Sequence, residues 1–441
     1  MKVLVYPHTM ELGGSQLNAI ELGAAVANRG HEVIIISEDG PLVELVHKLG
    51  LEHIRIDPRV RRRPSVHAAV QLVRLASERR IDVVHGHEWP PALEAFGGPR
   101  LRLGVPVVFT VMGMAVAPFL PRTVPLVVGT AEIRRRCLAA GYTFATLIEP
   151  PVDVRANAPM SGPNGFHAEF GLDSTVPLVV VVCRLVPELK LEGLLTACDV
   201  VGRLAAGGAS LQLAVVGDGP ARQQVEERAA MANTAAGRRV VVLTGAKNDP
   251  RPAYAAADVM LGMGGSALRG LAFGKPLVVQ GEGGFWQLLT PQSAPTFLDQ
   301  GWYGLADDVP GGAGRLAAIL AKLLADPGLR LTLGRFGRQL VVERFSLERA
   351  AAVQEEVYLA ALDPARSRRP VATAAEVARC GAGLLQYKIR RKWQRLCGTV
   401  ALDDFNSVEE QRRAAARALD HRTTKVDEPT PLPHRPASGC G

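Results

Sequence analysis

The feature that most constrains this chain is an alternation of short apolar runs with helical stretches that occurs twice along its length. Lys2–Tyr6, Glu32–Ser37, Ile81–His85, Val105–Thr110 and Val124–Gly129 are runs of five or six residues rich in Val, Ile and Leu. Helical segments at Gln16–Arg29, Pro41–Leu49 and Ala131–Ala140 lie among them. Strands buried on both faces read as continuous apolar runs, and parallel pairing needs a crossover helix between them. The pattern stops at Pro150-Pro151, passes through a loop rich in Pro, Gly and Asn, and starts again. Leu178–Cys183, Leu211–Val216, Val240–Leu243, Asp258–Leu261 and Pro276–Gln280 are the second set of strands, with helices at Glu192–Leu204 and Ser266–Phe273. The expected fold class is α/β, with two Rossmann-like domains facing across a cleft. Residues 1–158 form the first and residues 159–362 the second, closed by a helix over Ala350–Leu362.

The length of 441 residues agrees with two domains, since a single core rarely grows that large. With 47% apolar and 21% charged residues the chain is not disordered as a whole. Its formal charge of +8 raises the question of an anionic partner. The surplus gathers at Arg61-Arg62-Arg63 and from Lys388 to Arg395, a loop and a tail instead of a domain face, and no nucleic-acid motif accompanies it. No nucleic acid is expected. Six cysteines (Cys137, Cys183, Cys198, Cys380, Cys397 and Cys440) lack CxxC pairing and read as reduced thiols. The chain opens on a strand, not a leader, and its apolar runs fall short of the ~20 residues a membrane helix needs. These readings place it in the cytoplasm.

Residues 363–441 turn toward Ala, Arg and Pro. Glu376–Leu396 has the pattern of an amphipathic basic helix, and the proline-rich stretch Thr423–Gly441 reads as disordered. Two readings stand for Lys388-Ile389-Arg390-Arg391-Lys392-Trp393: a solvated helix face, or a peripheral contact with an anionic membrane, Trp393 at the interface.

Three motifs carry chemistry. Gly13-Gly14-Ser15 follows the first strand, where small residues admit a ligand and a helix start offers free N–H groups. A tight βα turn without a ligand is the alternative. His85-Gly86-His87-Glu88-Trp89 stands at a strand end, where ligands gather in open α/β sheets. His85 and His87 are candidates for acid–base work or for buried structural roles, and no third ligand suggests a metal. The third motif spreads over the second half. Arg184 and Lys190 lie six residues apart just after a strand and can neutralise a diphosphate from two sides. Gly264, Gly265 and Ser266 start a helix whose dipole favours the same anion, and Gly217-Asp218-Gly219 adds a further flexible turn.

From Arg184 to Glu348 these pieces, in this order, resemble the second domain of family-4 GT-B glycosyltransferases. The resemblance rests on Arg184-Leu185-Val186-Pro187-Glu188, Lys190, Val215-Val216-Gly217-Asp218-Gly219-Pro220, Leu271-Ala272-Phe273-Gly274-Lys275-Pro276 and Glu343-Arg344-Phe345-Ser346. Gly13-Gly14-Ser15, Gly30-His31-Glu32-Val33 and Val83-Val84-His85-Gly86-His87 resemble the first domain. The resemblance implies that Arg184 and Lys190 hold the donor diphosphate, met by Gly264, Gly265 and Ser266, while Gly13 and Gly14 line the opposite wall. It implies transfer without a bound metal or other cofactor, the nucleoside-diphosphate sugar being the donor substrate, with retention at the anomeric carbon.

Three positions depart from the family pattern. Leu261 and Arg269 stand where the family usually has two glutamates, the second of which meets the donor ribose; an arginine cannot accept those hydrogen bonds. Arg269 is left with two readings, a further phosphate contact or a solvent-facing position. Met112 replaces a frequent histidine, and Arg184 and Lys190 stand one residue further apart than usual. Glu282, in the loop after Gln280, is a candidate to compensate. The expected function is glycosyl transfer to an unidentified metabolite, lipid or glycan. A non-catalytic nucleotide-sugar-binding protein and a nucleotide-sugar epimerase are the alternatives.

Overall fold

The computed structural model describes residues 1–56, 63–160, 162, 165–363 and 370–397. Arg61, Arg62, Cys440 and the segment Thr423–Gly441 lie outside the described residues. Two sheets are built as the alternating pattern implies. In the first, β1 (Lys2–Tyr6), β2 (Glu32–Ser37), β3 (Glu52–Arg55), β4 (Val83–His87), β5 (Val107–Val111), β6 (Leu126–Val128) and β7 (Ala145–Leu147) are ordered 3-2-1-4-5-6-7 and pair in parallel. In the second, β8 (Leu178–Val182), β9 (Gln212–Val216), β10 (Val241–Gly245), β11 (Val259–Gly262), β12 (Leu277–Gln280) and β13 (Trp286–Leu288) are ordered 10-9-8-11-12-13. Only β13 runs antiparallel, at an edge.

Several strands begin later than the apolar runs suggest. β4 starts at Val83, and Asp82 just before it accepts at its side chain from the Lys2 N–H at 2.7 Å. The edge strands β3 and β7 carry too few apolar residues to be read from sequence, since an edge is buried on fewer sides. Each sheet is covered on both faces, by the clusters around Phe109 and Ile35 in the first and around Val215 and Met260 in the second.

The expectation that a helix over Ala350–Leu362 closes the second domain is corrected, the observed helix being Leu347–Leu362. Ala350, Ala351, Val357 and Tyr358 are buried with Val3, Val5 and Ile20, in the core of the first domain. The chain returns there beside its own outward crossing. Val152 N–H donates to the Phe345 carbonyl at 2.8 Å, Leu347 N–H donates to the Val152 carbonyl at 3.0 Å, and Arg344 pairs with Glu149. Arg29 and His31 both reach Glu355, tying the returned helix to the surface of the first domain. A further helix, Pro370–Leu396, docks on the same domain. Among the described residues no helix is long and apolar enough to cross a membrane.

Candidate active site

Each sheet reverses its strand order once, between β1 and β4 in the first and between β8 and β11 in the second. Loops leaving the carboxyl ends of such neighbours diverge to opposite faces and leave a crevice. Both sets of candidate residues stand at these two places.

In the second domain Val181 pairs with Leu261, so the chain leaves β8 toward Arg184 beside the exit of β11 toward Gly264. Arg184 is exposed and has no ion-pair partner among the described residues. Lys190 follows an irregular turn in which Leu189 has φ of 63°. Four hydrogen bonds tie that turn and the residues after it to the segment Gln280–Gly284. Leu189 N–H donates to Glu282 Oε1 at 3.0 Å, Gln280 Nε2 donates to the Lys190 carbonyl at 3.1 Å, and Glu192 accepts from the N–H groups of Gly283 and Gly284. Burial lowers the pKa of Lys190, and the nearby Cys183 and Glu282 oppose that shift. Glu282, expected among the catalytic groups, accepts at Oε1 from Leu189 and so helps hold the turn that carries Lys190.

Gly217, expected among the donor-binding residues, is closely packed. Its N–H donates to the Gly245 carbonyl at 3.0 Å, and a Cβ there would lie 1.8 Å from the Cys183 oxygen. It lets two loops lie against each other, and its N–H is not available to a phosphate. At the start of the helix Gly264–Ala272, Gly264 has φ of 56° and gives its N–H to the Trp302 carbonyl. Gly265 and Ser266 occupy the first turn, where N–H groups lack intrahelical acceptors and the helix dipole is positive. Arg269 is half-buried and turned toward the first domain. Its guanidinium pairs with Glu21 of the first domain at 3.1 Å, and burial raises the pKa of that carboxyl while Arg269 opposes the rise.

In the first domain Gly13 and Gly14 open the helix Gly14–Ala27 beside the end of β4. Gln16 folds back so closely that a Cβ on Gly13 would lie 2.3 Å from its Oε1, while Gln16 Nε2 donates to Thr9 Oγ1 and lies 3.0 Å from His8 Nε2. Glu88, with φ of 65°, accepts at Oε1 from Ser15 Oγ at 2.8 Å and from the Met112 N–H at 3.0 Å. One carboxylate thus clasps the exits of β1, β4 and β5.

The two histidines separate in role. His85 is buried with Nδ1 2.7 Å from Tyr358 Oη and Nε2 2.7 Å from Thr110 Oγ1. Both nitrogens are engaged within the protein, and burial holds its pKa well below the usual value. The His87 ring lies 4.2 Å from it at a tilt of 36°, and burial with help from His8 lowers its pKa to about 3. Its Nδ1 has no hydrogen-bond partner. A base that weak accepts protons poorly near neutrality. Among the described residues no three His, Cys, Asp or Glu side chains group as a metal site.

The ion pair between Arg269 and Glu21 joins the helix opening at one crevice to the helix opening at the other. A second link, Arg135 with Asp299, joins the domains elsewhere. The two crevices therefore bound one interdomain groove.

Residues 12–139 match Glycosyltransferase Family 4, and residues 176–324 match Glycosyl transferases group 1. The chain belongs to the family-4 glycosyltransferases. This family-4 chain is 29% identical over 233 residues to a 2-deoxystreptamine glucosyltransferase of Streptomyces kanamyceticus, a match spanning 51% of the chain and 56% of that relative. Solved structures share its two-domain GT-B fold. A glycosyltransferase of Rickettsia africae superposes with a TM-score of 0.65 at 17% identity, over 82% of this chain and 99% of that one. Anabaena HepE in complex with UDP-glucose does so with 0.61 at 15% identity, over 82% and 100%. The catalytic domain of Arabidopsis starch synthase IV, bound to ADP and acarbose, gives 0.61 at 15%, over 82% and 99%.

Within this family-4 chain the departures from the family pattern have structural partners. Leu261 is buried inside β11, Arg269 holds Glu21, and Met112 gives its N–H to Glu88 while its sulfur packs beside Gly129. Glu21, Glu192 and Tyr358 were not legible as site-building residues. Glu21 and Tyr358 meet partners 248 and 273 positions away, and Glu192 reads only as an acidic first-turn residue.

Proposed function

We propose that the chain transfers a sugar from a nucleoside-diphosphate sugar bound in the groove, with retention and without a metal ion, to a metabolite, lipid or glycan. The observation that carries this reading is the shared exit of β8 and β11, which brings Arg184, Lys190 and the start of the Gly264 helix to one crevice. Two fixed cations and the first-turn N–H groups of Gly265 and Ser266 suit the charge that grows on the departing diphosphate. The backbone that carries Lys190 is held by Glu282 and Gln280, which limits reorganisation on that side of the crevice. The opposite wall, from Gly13 and Gly14 to Glu88 and His87, is the acceptor side. Kinship with the Streptomyces kanamyceticus glucosyltransferase supports a hexosyl donor. The free thiols Cys137, Cys183, Cys198, Cys380 and Cys397 support a cytoplasmic setting.

A second reading, binding of a nucleotide sugar without transfer, is favoured by one observation. His85 and Glu282, expected to react, are engaged in structural contacts. Thermal-shift titration with UDP, ADP, GDP and dTDP, repeated on Arg184→Ala and Lys190→Ala, tests the site. A stabilising nucleotide whose effect is lost in both variants supports it, and no stabilisation by any overturns both readings. Release of nucleotide from the matching nucleotide sugar then separates transfer from binding alone.

A further inference from the structure

The helix Pro370–Leu396 lies beyond both family matches and has two unlike faces. Its inner face is bound to the first domain. Glu376 accepts from the Arg122 N–H at 2.6 Å, Arg379 donates to the Pro118 carbonyl at 2.8 Å, and the Tyr387 ring lies 5.2 Å from Phe119 and 5.6 Å from Trp89. Cys380 is buried, and Gly383 sits so close that a Cβ would lie 2.9 Å from Phe119 Cβ. At about 100° per residue, positions 376, 380, 383 and 387 share one side of the helix.

The opposite side should be polar, because a helix docked on a domain turns its apolar stripe inward. It is not. Leu385 is 61% exposed, Ile389 59%, Trp393 69% and Leu396 78%. These four fall within an arc of about 80°, facing away from the domain. Lys388, Lys392 and Arg395 border them on one side and Arg390 on the other, Arg391 lies toward the domain, and no acidic residue occurs from Leu385 to Cys397. Arg390 and Lys392 flank the stripe on its two sides. The combination matches a helix lying in the plane of a membrane interface, with apolar side chains among the acyl chains and cations at the headgroups. A nucleic acid would be met by cations without an apolar stripe, and the uninterrupted run of cations beside exposed Leu, Ile and Trp side chains favours an anionic lipid surface over the acidic groove of a protein. Both together fit a bilayer.

We propose that this outer face docks on a membrane surface bearing anionic lipids. Leu385, Ile389, Trp393 and Leu396 insert at the interface, and Lys388, Arg390, Lys392 and Arg395 supply attraction that salt screens. The inner contacts keep the helix on the first domain while its outer face meets the lipid. The proposal does not depend on sugar transfer.

The test is flotation of the full chain with phosphatidylcholine vesicles and with vesicles containing phosphatidylglycerol. Partition to the anionic vesicles, weakening with salt, is expected, together with a blue-shifted tryptophan emission that Trp393→Phe removes. Ile389→Ser with Trp393→Ser lowers partition about tenfold or more while leaving the melting temperature near the wild type, since both positions are exposed. Equal binding to both vesicle types, wild-type partition by the double variant, or retention on RNA without vesicle binding would each overturn the proposal.

Discussion

The guanidinium of Arg269 and the carboxylate of Glu21 stand 3.1 Å apart, both largely buried, and join the helices that open the two crevices. The pair stands where the family resemblance places a ribose-binding carboxylate at position 269, so here that position serves the relation between the domains. Arg269→Ala leaves Glu21 without its cation and is expected to cost ~1–3 kcal/mol in urea unfolding. Glu21→Ala combined with Arg269→Ala should cost less than the sum of the two, by ~1 kcal/mol or more. Strict additivity would show that the contact is not energetically coupled.

The same pair has a signed pH signature. Burial raises the Glu21 pKa above its usual value, so the folded protein holds that proton more tightly than the unfolded chain. The associated stability is complete below the unfolded carboxyl range and is lost as pH rises through the folded value. Removing Arg269 takes away an opposing charge and raises the pKa further. Melting temperatures of Arg269→Ala should therefore fall more steeply from acid to neutral pH than those of the unaltered chain.

His87 has the opposite sign. With its pKa lowered to about 3, the folded state binds fewer protons than the unfolded state between there and the ordinary histidine range. Its stability is present above pH ~6.5 and is lost as pH falls toward 3. His87→Asn should make the acid side of a melting-temperature profile shallower, by an amount equivalent to ~1 kcal/mol or more at pH 5. An unchanged profile would show that His87 is accessible to protons in the native state.

Gly217→Ala tests the loop packing. The new Cβ would meet the Cys183 oxygen at 1.8 Å, with φ at 149°, so the backbone has to move. A loss of ~2 kcal/mol or more is expected in urea unfolding. Because the displaced loop leads to Arg184, nucleotide affinity measured by calorimetry should fall with it.

Glu282 separates positioning from chemistry. Glu282→Ala removes the acceptor that holds Leu189 and should weaken nucleoside-diphosphate binding about tenfold, equivalent to ~1.4 kcal/mol. Glu282→Gln keeps an acceptor oxygen and should stay within about threefold. Turnover abolished in the glutamine variant with affinity intact would assign Glu282 to the reaction itself.

Much of the architecture was legible because it depends on local chemistry. Parallel strands covered on both faces must be apolar along their length, so Val179–Val182 and Val3–Val5 announce themselves without tertiary information. Gly13-Gly14 and Gly264-Gly265 mark helix starts for a similar reason. Arg184 and Lys190 could be picked out because a strand end followed by two cations is a local pattern.

What the sequence determined by itself is therefore the repeated βα order, the division into two halves and the residues that leave each switch point. The tertiary structure alone decided that Leu347–Leu362 returns to the first core, that Tyr358 occupies His85, and that Arg269 meets Glu21. These depend on partners brought together from distant parts of the chain. A side chain's protonation, reach and availability are set by what packs around it, and no local pattern of residue types carries that information.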